Sequence, residues 1–397
     1  MDKKDILLIA HFCSDFDSDG NNRFNYLANM LSDNGYDVEL VTSDFSHITK
    51  NKRAKTCHPD KYKVTFIEEP CYSKNVSIKR FYSHYVMGRN LKKYFKSRKK
   101  PEIIYCSVPS LDIASVAAEY AMKNKIRFVI DVQDLWPEAF QMIFNIPIIS
   151  KVLFYPMLRK ANYIYKAADD IVAVSQTYVD RALNVNNKCK DGLSIFLGTD
   201  FSTFDYITSS NLLVKPDKEL WLVYIGTLGH SYDLTIVIDA LKILQSKEVK
   251  NLKFIIIGDG PLKNKFEKYA EELGVYAQFI GRLCYKEMVQ YLKLCDMAVN
   301  PIVDKSVATI INKHADYVAA GLPILNTQKS EEYRSLLIEY EAGFNSESND
   351  PNELSENILK LYNDADLRSS MGRNSRKLGV EKFDRNLTYT EIIKILD

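Results

Sequence analysis

The feature that most constrains this chain is a repeated alternation. A short apolar run is followed by a polar or glycine-bearing turn and then by a segment of helical periodicity. Ile6–Ala10 (ILLIA) is continuous rather than alternating, which predicts a strand buried on both faces. The polar loop His11–Asn22 follows, then Phe24, Leu27, Ala28 and Leu31 at helical spacing, then Gly35 and a second strand over Asp37–Thr42. Further strands are predicted at Val64–Ile67, Glu102–Cys106, Ile126–Asp131, Ile171–Val174 and Leu193–Phe196. A second series begins at Trp221–Ile225 and continues through Lys253–Ile257, Tyr276–Ile280 and Met297–Asn300. Strands that alternate with helices imply parallel sheets, because a parallel pair needs a long right-handed crossover. Two such series in 397 residues predict an α/β protein with two doubly wound, Rossmann-like domains. The polar run Ser209–Lys218 puts the boundary between about 195 and 218. The expected division is residues 1–205, residues 206–375, and a C-terminal helical segment 376–397 packing back across the first domain.

In such sheets ligands sit beyond the C-terminal ends of the strands. Gly20, in the loop after the first strand, falls at that edge. So do Gly226-Thr227-Leu228-Gly229-His230, Gly258-Asp259-Gly260-Pro261 and Gly281-Arg282-Leu283 in the second domain. Turns of this kind can offer backbone N–H groups to an anion. The pair Gly258/Gly260 lacks the third glycine and the acidic residue of a dinucleotide fingerprint, so a nucleotide edge is expected but not a nicotinamide one. The stretch Asn312–Leu325 (NKHADYVAAGLPIL) reads as a helix with Asn312 as N-cap, Gly321 at its C-terminus and Pro323 preventing continuation, followed by a strand. Lys313 and Asp316 are three apart and share a face near the helix N-terminus, where they could hold a phosphate and a sugar diol. The same spacing also fits a surface helix with an i,i+3 ion pair. In the first domain, Asp131 to Glu138 follows a strand end and supplies acidic candidates, although Pro137 and Glu138 equally suit a helix start.

Net charge is +2, unevenly spread: residues 50–100 alone hold 16 basic and 3 acidic side chains. Such a segment suits anionic lipid, a polyphosphate or nucleic acid, or is a solvated helix face. The seven cysteines contain no C-x-x-C pair, which fits a reducing compartment. No signal peptide is expected at the N-terminus. The apolar region Ala139–Leu158 is interrupted by Gln141, Asn145, Ser150 and Lys151, so it reads as an interfacial or packed helix rather than a span. Zinc, calcium, P-loop and serine-hydrolase signatures do not occur, and no metal site is expected.

Taken in order, these motifs resemble the retaining glycosyltransferase family 4, of GT-B architecture. The resemblance rests on Gly20, Asp131–Glu138, Ala168–Ser175, Gly198-Thr199-Asp200, Tyr224–Leu228, Ile257–Pro261, Phe279–Arg282 and Asn312–Leu325. It implies two Rossmann-like domains facing a central cleft. The implied function is a metal-independent hexosyltransferase moving sugar from a nucleotide-diphosphate sugar, such as a UDP-sugar, to a lipid-linked glycan. Surface polysaccharide synthesis (capsule, exopolysaccharide or O-antigen) would be the setting, with no other cofactor and no nucleic-acid partner. By resemblance Asp316 binds ribose hydroxyls, Lys313 lies near the diphosphate, Leu283 lines the base, and Gly20, Gly226, Gly258 and Asp259 approach the donor. The chain departs from the family at three charges: Ala308, Thr227 and Tyr232 stand where an acid, an arginine and a lysine are usual. Arg282, Lys313, His230 and His314 are the local substitutes, with Lys313 also a catalytic candidate; His11 and Asp134, with Gln133, are acceptor-side candidates. The basic segment would face the membrane, placing the protein in the cytoplasm at its inner face. Two alternatives are a sugar-nucleotide epimerase of the same architecture and a non-catalytic partner of another glycosyltransferase.

Overall fold

The computed structural model describes residues 3–14, 16, 22–53, 59–75, 77–141, 147–209, 213–304 and 310–397. Gly20 and Ala308 lie outside these. The chain forms two compact units, Met1–Ile195 with Tyr389–Asp397, and Phe196–Thr388.

The first unit is built on β1 (Asp5–Ile9), β2 (Asp37–Ser43), β3 (Lys63–Ile67), β4 (Ile103–Val108), β5 (Arg127–Val132), β6 (Asp170–Ala173) and β7 (Leu193–Ser194). Their order is β3-β2-β1-β4-β5-β6-β7, with parallel pairing throughout. The interior strands are buried along nearly their whole length, which explains their unbroken apolar sequence. Helices Ile78–Ser97, Leu111–Asn124 and Pro147–Ala167 pack in succession. Among the described residues no helix is long and apolar enough to cross a membrane. Ile6, Leu8, Leu27, Leu31, Tyr105 and Val129 form a core with Tyr389, Ile392 and Leu396 of the returning segment. That segment is nine residues long, because the helix Ala365–Lys382 lies wholly in the second unit.

The second unit is built on β8 (Leu220–Ile225), β9 (Leu252–Ile257), β10 (Ala277–Gly281), β11 (Met297–Asn300), β12 (Ile324–Asn326) and β13 (Gly343–Asn345). Its parallel order is β10-β9-β8-β11-β12-β13. The strand β13 escapes sequence reading because three half-buried residues carry no period. Its register depends on Gly343: a Cβ there would lie 2.0 Å from the Ile324 carbonyl oxygen.

Each sheet reverses its winding once, between β1 and β4 in the first unit and between β8 and β11 in the second. Crevices at such switch points, beyond the strand C-termini, are where doubly wound folds bind ligands.

Candidate functional site

At the C-terminal edge of the second sheet, β8, β9 and β10 end in or run into Gly226, Gly258 and Gly281, with φ of 131°, 151° and 87°. The reason for glycine is close backbone approach: a Cβ on Gly258 would lie 1.8 Å from the Gly226 carbonyl oxygen, and one on Gly260 would lie 2.3 Å from that of Leu228. The loops are also hydrogen-bonded together. Gly226 N–H donates to Ile257 (2.9 Å), Leu228 N–H to Asp259 (3.0 Å) and Gly258 N–H to Gly281 (2.8 Å). These three N–H groups therefore fasten loop to loop instead of facing a ligand, which corrects the expectation of a free donor cluster there. Thr227, His230, Asp259 and Arg282 are exposed along this rim, and Leu283 packs against the core.

The helix Lys313–Ala319 is seven residues long and every one of them is buried. Asn312 is helical and makes no side-chain cap bond, contrary to its expected role. The C-terminus behaves as expected. Gly321 (φ 69°) follows the cap, Leu322 N–H donates to Tyr317 and Gly321 N–H to Val318, a Schellman pattern. Tyr317 seats the helix in the switch-point crevice: its hydroxyl accepts from Ile225 N–H (2.9 Å) and donates to the Val299 carbonyl (3.2 Å).

Residues one apart on a helix point about 100° away from each other, and three environments result. Lys313 Nζ sits 3.8 Å from the centroids of both Tyr224 and Tyr232, with no hydrogen-bond partner among the described residues. A Cβ on Gly226 would be 3.1 Å from Lys313 Nζ. Burial pushes the Lys313 amine well below the ordinary lysine range. His314 is stacked on Tyr333 (3.7 Å between centroids), with Nε2 3.4 Å from both Asn300 Nδ2 and Gln328 Oε1. It is fully buried in the core at the β11–β12 side, so direct contact with a donor would require it to leave that packing. Asp316 Oδ1 accepts from the Tyr285 hydroxyl (3.1 Å), which also bonds Thr199 Oγ1 (2.8 Å). Among the described residues no ion pair joins Lys313 to Asp316. The helix is a buried one, not a surface helix laced by an i,i+3 pair.

Burial pushes the Asp316 carboxyl from its ordinary 3.8 up to about 7, against the opposing hydrogen bond from Tyr285. The folded chain thus holds a proton that the unfolded chain has lost, from about pH 4 to about pH 7. Stability should fall as pH rises through that window and change no further above it. Asp316→Asn is expected to abolish this slope, matching the parent near pH 4 and exceeding it at pH 8. Each unit carries one tryptophan, Trp136 in the first and Trp221 in the second. Urea unfolding followed by Trp221 in a Trp136→Phe background reads the effect; parallel pH profiles for the two chains would refute it.

The first unit has its own cluster at the β1/β4 switch point. His11 follows β1; its Nδ1 lies 2.8 Å from Ser110 Oγ, just after β4, and its Nε2 2.9 Å from Glu69 Oε2, beyond β3. Burial opposes ionisation of Glu69, but the charge of His11 and hydrogen bonds from His11, Ser43 and Ser83 hold it well below the usual carboxylate range. His84, on the helix Ile78–Ser97, meets His11 edge-on at 4.7 Å and stacks with Trp136 at 6.0 Å. Trp136 Nε1 donates to Asp134 (3.1 Å), and burial raises that carboxyl. His11 and Asp134 are therefore brought into one neighbourhood through His84 and Trp136, without touching. Glu69, His84 and Ser110 were not legible in the sequence, because the four residues come from separate elements. Among the described residues His11, Glu69 and His84 are the group whose spacing suits a metal ion. A second network, below this edge, joins Arg23 to Asp131 and Tyr389.

The family model described as "Glycosyl transferases group 1" matches residues 207–378. An uncharacterized glycosyltransferase of Methanocaldococcus jannaschii is 24% identical over 223 residues, 55% of this chain and 58% of that protein. The Campylobacter jejuni protein named "GalNAc-alpha-(1->4)-GalNAc-alpha-(1->3)-diNAcBac-PP-undecaprenol alpha-1,4-N-acetyl-D-galactosaminyltransferase" is 22% identical over 210 residues, 50% of this chain and 51% of its own. The matches thus span little more than half the length of these relatives. Among solved structures, HepE of Anabaena in complex with UDP superposes with a TM-score of 0.71 at 14% identity, covering 99% of both chains. The same protein is also known with UDP-glucose. At this identity the likeness is one of fold.

Proposed function

We propose, from the match of residues 207–378 to the group 1 glycosyl transferases, that this chain moves a hexose from a nucleoside-diphosphate sugar to a lipid-linked glycan, with retention at the anomeric carbon and no metal at the donor. The observation that carries this reading is the pair of buried, oppositely titrating groups on one helix at the β8/β11 switch point, Lys313 beside Gly226 and Asp316 on Tyr285. A nucleoside diphosphate leaves with growing negative charge, and a preorganised cation in a water-poor crevice stabilises that charge most. Lys313 supplies the cation once the arriving diphosphate favours its ammonium form over the neutral amine that burial favours. Asp316, once Tyr285 releases it, can accept from two vicinal ribose hydroxyls. Arg282, His230, Thr227 and Asp259 line the approach, and His11 and Asp134 belong to the acceptor side.

The donor class is supported by the UDP and UDP-glucose complexes of the Anabaena protein. The acceptor class is supported by the diphospho-undecaprenol glycan in the name of the Campylobacter relative. Seating at the cytoplasmic face of a membrane is supported by Ile78, Tyr82 and Tyr85 on one helix and Val152, Leu153 and Tyr155 on another, all exposed in the first unit beside exposed lysines such as Lys79 and Lys93. Aromatic and aliphatic side chains among lysines suit the interface of an anionic bilayer. Surface glycan assembly is the corresponding process.

Thr227 and Tyr232, which stand in place of charged groups, favour one second reading, a nucleotide-binding partner subunit without transfer activity of its own. One assay separates these. Labelled UDP-sugars are offered with undecaprenyl-diphosphate glycans in anionic vesicles, which are then floated. Label that moves to the floating lipid only when the protein is present is the expected result. Isomerised donor formed without acceptor would mean an epimerase, and transfer that appears only when a second glycosyltransferase is added would mean the partner subunit.

A further inference from the structure

We propose that His11, Glu69 and His84 form a binding site for a divalent transition-metal ion of the zinc class, at the switch point of the first sheet. The three ligand atoms lie within 4.8 Å of one another and are all buried. Around a tetrahedral zinc with ligand bonds of about 2.0–2.2 Å, neighbouring ligand atoms are about 3.4 Å apart. Small side-chain rotations bridge the difference. Two imidazoles and one carboxylate are a ligand set zinc accepts, and it leaves a fourth position for water or a substrate oxygen.

Two further observations separate this cluster from an ordinary buried hydrogen-bonded group. First, the outer partners are already in place. His11 turns Nε2 toward Glu69 while Nδ1 meets Ser110 Oγ at 2.8 Å, and Glu69 turns Oε2 toward His11 while Oε1 accepts from Ser83 Oγ at 2.6 Å. Metal-bound imidazoles and carboxylates are oriented by such bonds. Second, His84 is 1% exposed, yet its Nε2 has no hydrogen-bond partner among the described residues. A buried polar atom left alone is costly, and an ion in this cluster gives the ring a partner. Of the nearby cations, the Lys52 ammonium is held by both oxygens of Asp44 at 2.7 Å. Arg80, stacked over Phe12 and Trp136, opposes the ion. Capture of the metal replaces the His11–Glu69 hydrogen bond, and the proton shared there passes to solvent.

The test uses the full chain, stripped with chelator and titrated with Co²⁺, whose visible d–d bands report tetrahedral nitrogen and oxygen ligation without any activity assay. One equivalent per chain, displaced by Zn²⁺, is expected. Ser110→Ala should weaken binding about 10-fold, and His84→Ala should weaken it more. His84→Cys keeps a ligand and should restore binding with a new thiolate-to-cobalt band in the near ultraviolet, which a misfolded variant would not give. A d–d spectrum that is unchanged in His84→Ala, or no tetrahedral spectrum at all, would overturn the site.

Discussion

Lys313→Met is expected to lower kcat for sugar transfer by about 100- to 1000-fold, the usual cost of removing one preorganised charge-stabilising group, while leaving the second unit at least as stable as before. The two effects separate because the same burial drives both. The amine lies by the rings of Tyr224 and Tyr232 with no hydrogen-bond partner among the described residues. Attraction to the rings offsets only part of its lost hydration. A methionine of similar length fills the space without a polar atom, which should gain up to about 1–3 kcal/mol. Lysine is retained, on this view, for the donor. Its amine is held well below the ordinary range by burial, and an arriving diphosphate reverses that balance by favouring the ammonium form. Donor binding should therefore take up a proton wherever the free protein holds the amine neutral. Calorimetry in two buffers of different ionisation enthalpy measures that uptake, and Lys313→Met should abolish it. If the variant transfers sugar normally, or if uptake persists in it, Lys313 is only a core residue.

How far the sequence reaches can be judged from particular positions. Strands such as β4 and β9 are legible because burial on both faces demands unbroken apolar runs. Gly258 is legible as a tight approach to backbone, but not its purpose. A turn glycine looks the same whether its N–H faces a phosphate or, as here, the carbonyl of Gly281. Lys313 and Asp316 could be placed on one helix by spacing. Their separate surroundings depend on Tyr232 from the loop after β8 and Tyr285 from the segment after β10, which no local pattern announces. The same limit hides the first unit's cluster. His11 stands out because it follows a strand, whereas Glu69, His84 and Ser110 reach it only through the order of strands in the sheet. Periodicity fixes which face of an element is buried; which elements become neighbours is decided by the whole chain.

Arg23 shows how much of that assembly can rest on a single charge, and Arg23→Met is expected to destabilise the first unit by about 3–5 kcal/mol. Its guanidinium meets Asp131 through three hydrogen bonds of 3.0–3.2 Å, with 5% and 0% of the two side chains exposed. Tyr105 hydroxyl adds a fourth bond to the same carboxylate at 3.1 Å. Burial opposes the charge on Arg23, but Asp131 overrides it and holds the guanidinium firmly protonated. The remaining Arg23 nitrogen donates to Tyr389 hydroxyl at 2.6 Å, and the guanidinium lies 4.8 Å from that ring. The pair thus ties the helix after β1, the end of β5 and the returning C-terminal segment at one point. Losing only the arginine strands a buried carboxylate, the costliest outcome for such a pair, whereas replacing both partners by apolar residues can be nearly neutral. Arg23→Met with Asp131→Leu should therefore recover more than half of the loss in Trp136-monitored urea unfolding, read in a Trp221→Phe background. Hydrogen exchange supplies the local measure: amides of residues 389–397 should exchange faster in the single variant, because Tyr389 loses its anchor. Equal stability of the single and double variants would show that packing, not the buried charge, governs this junction.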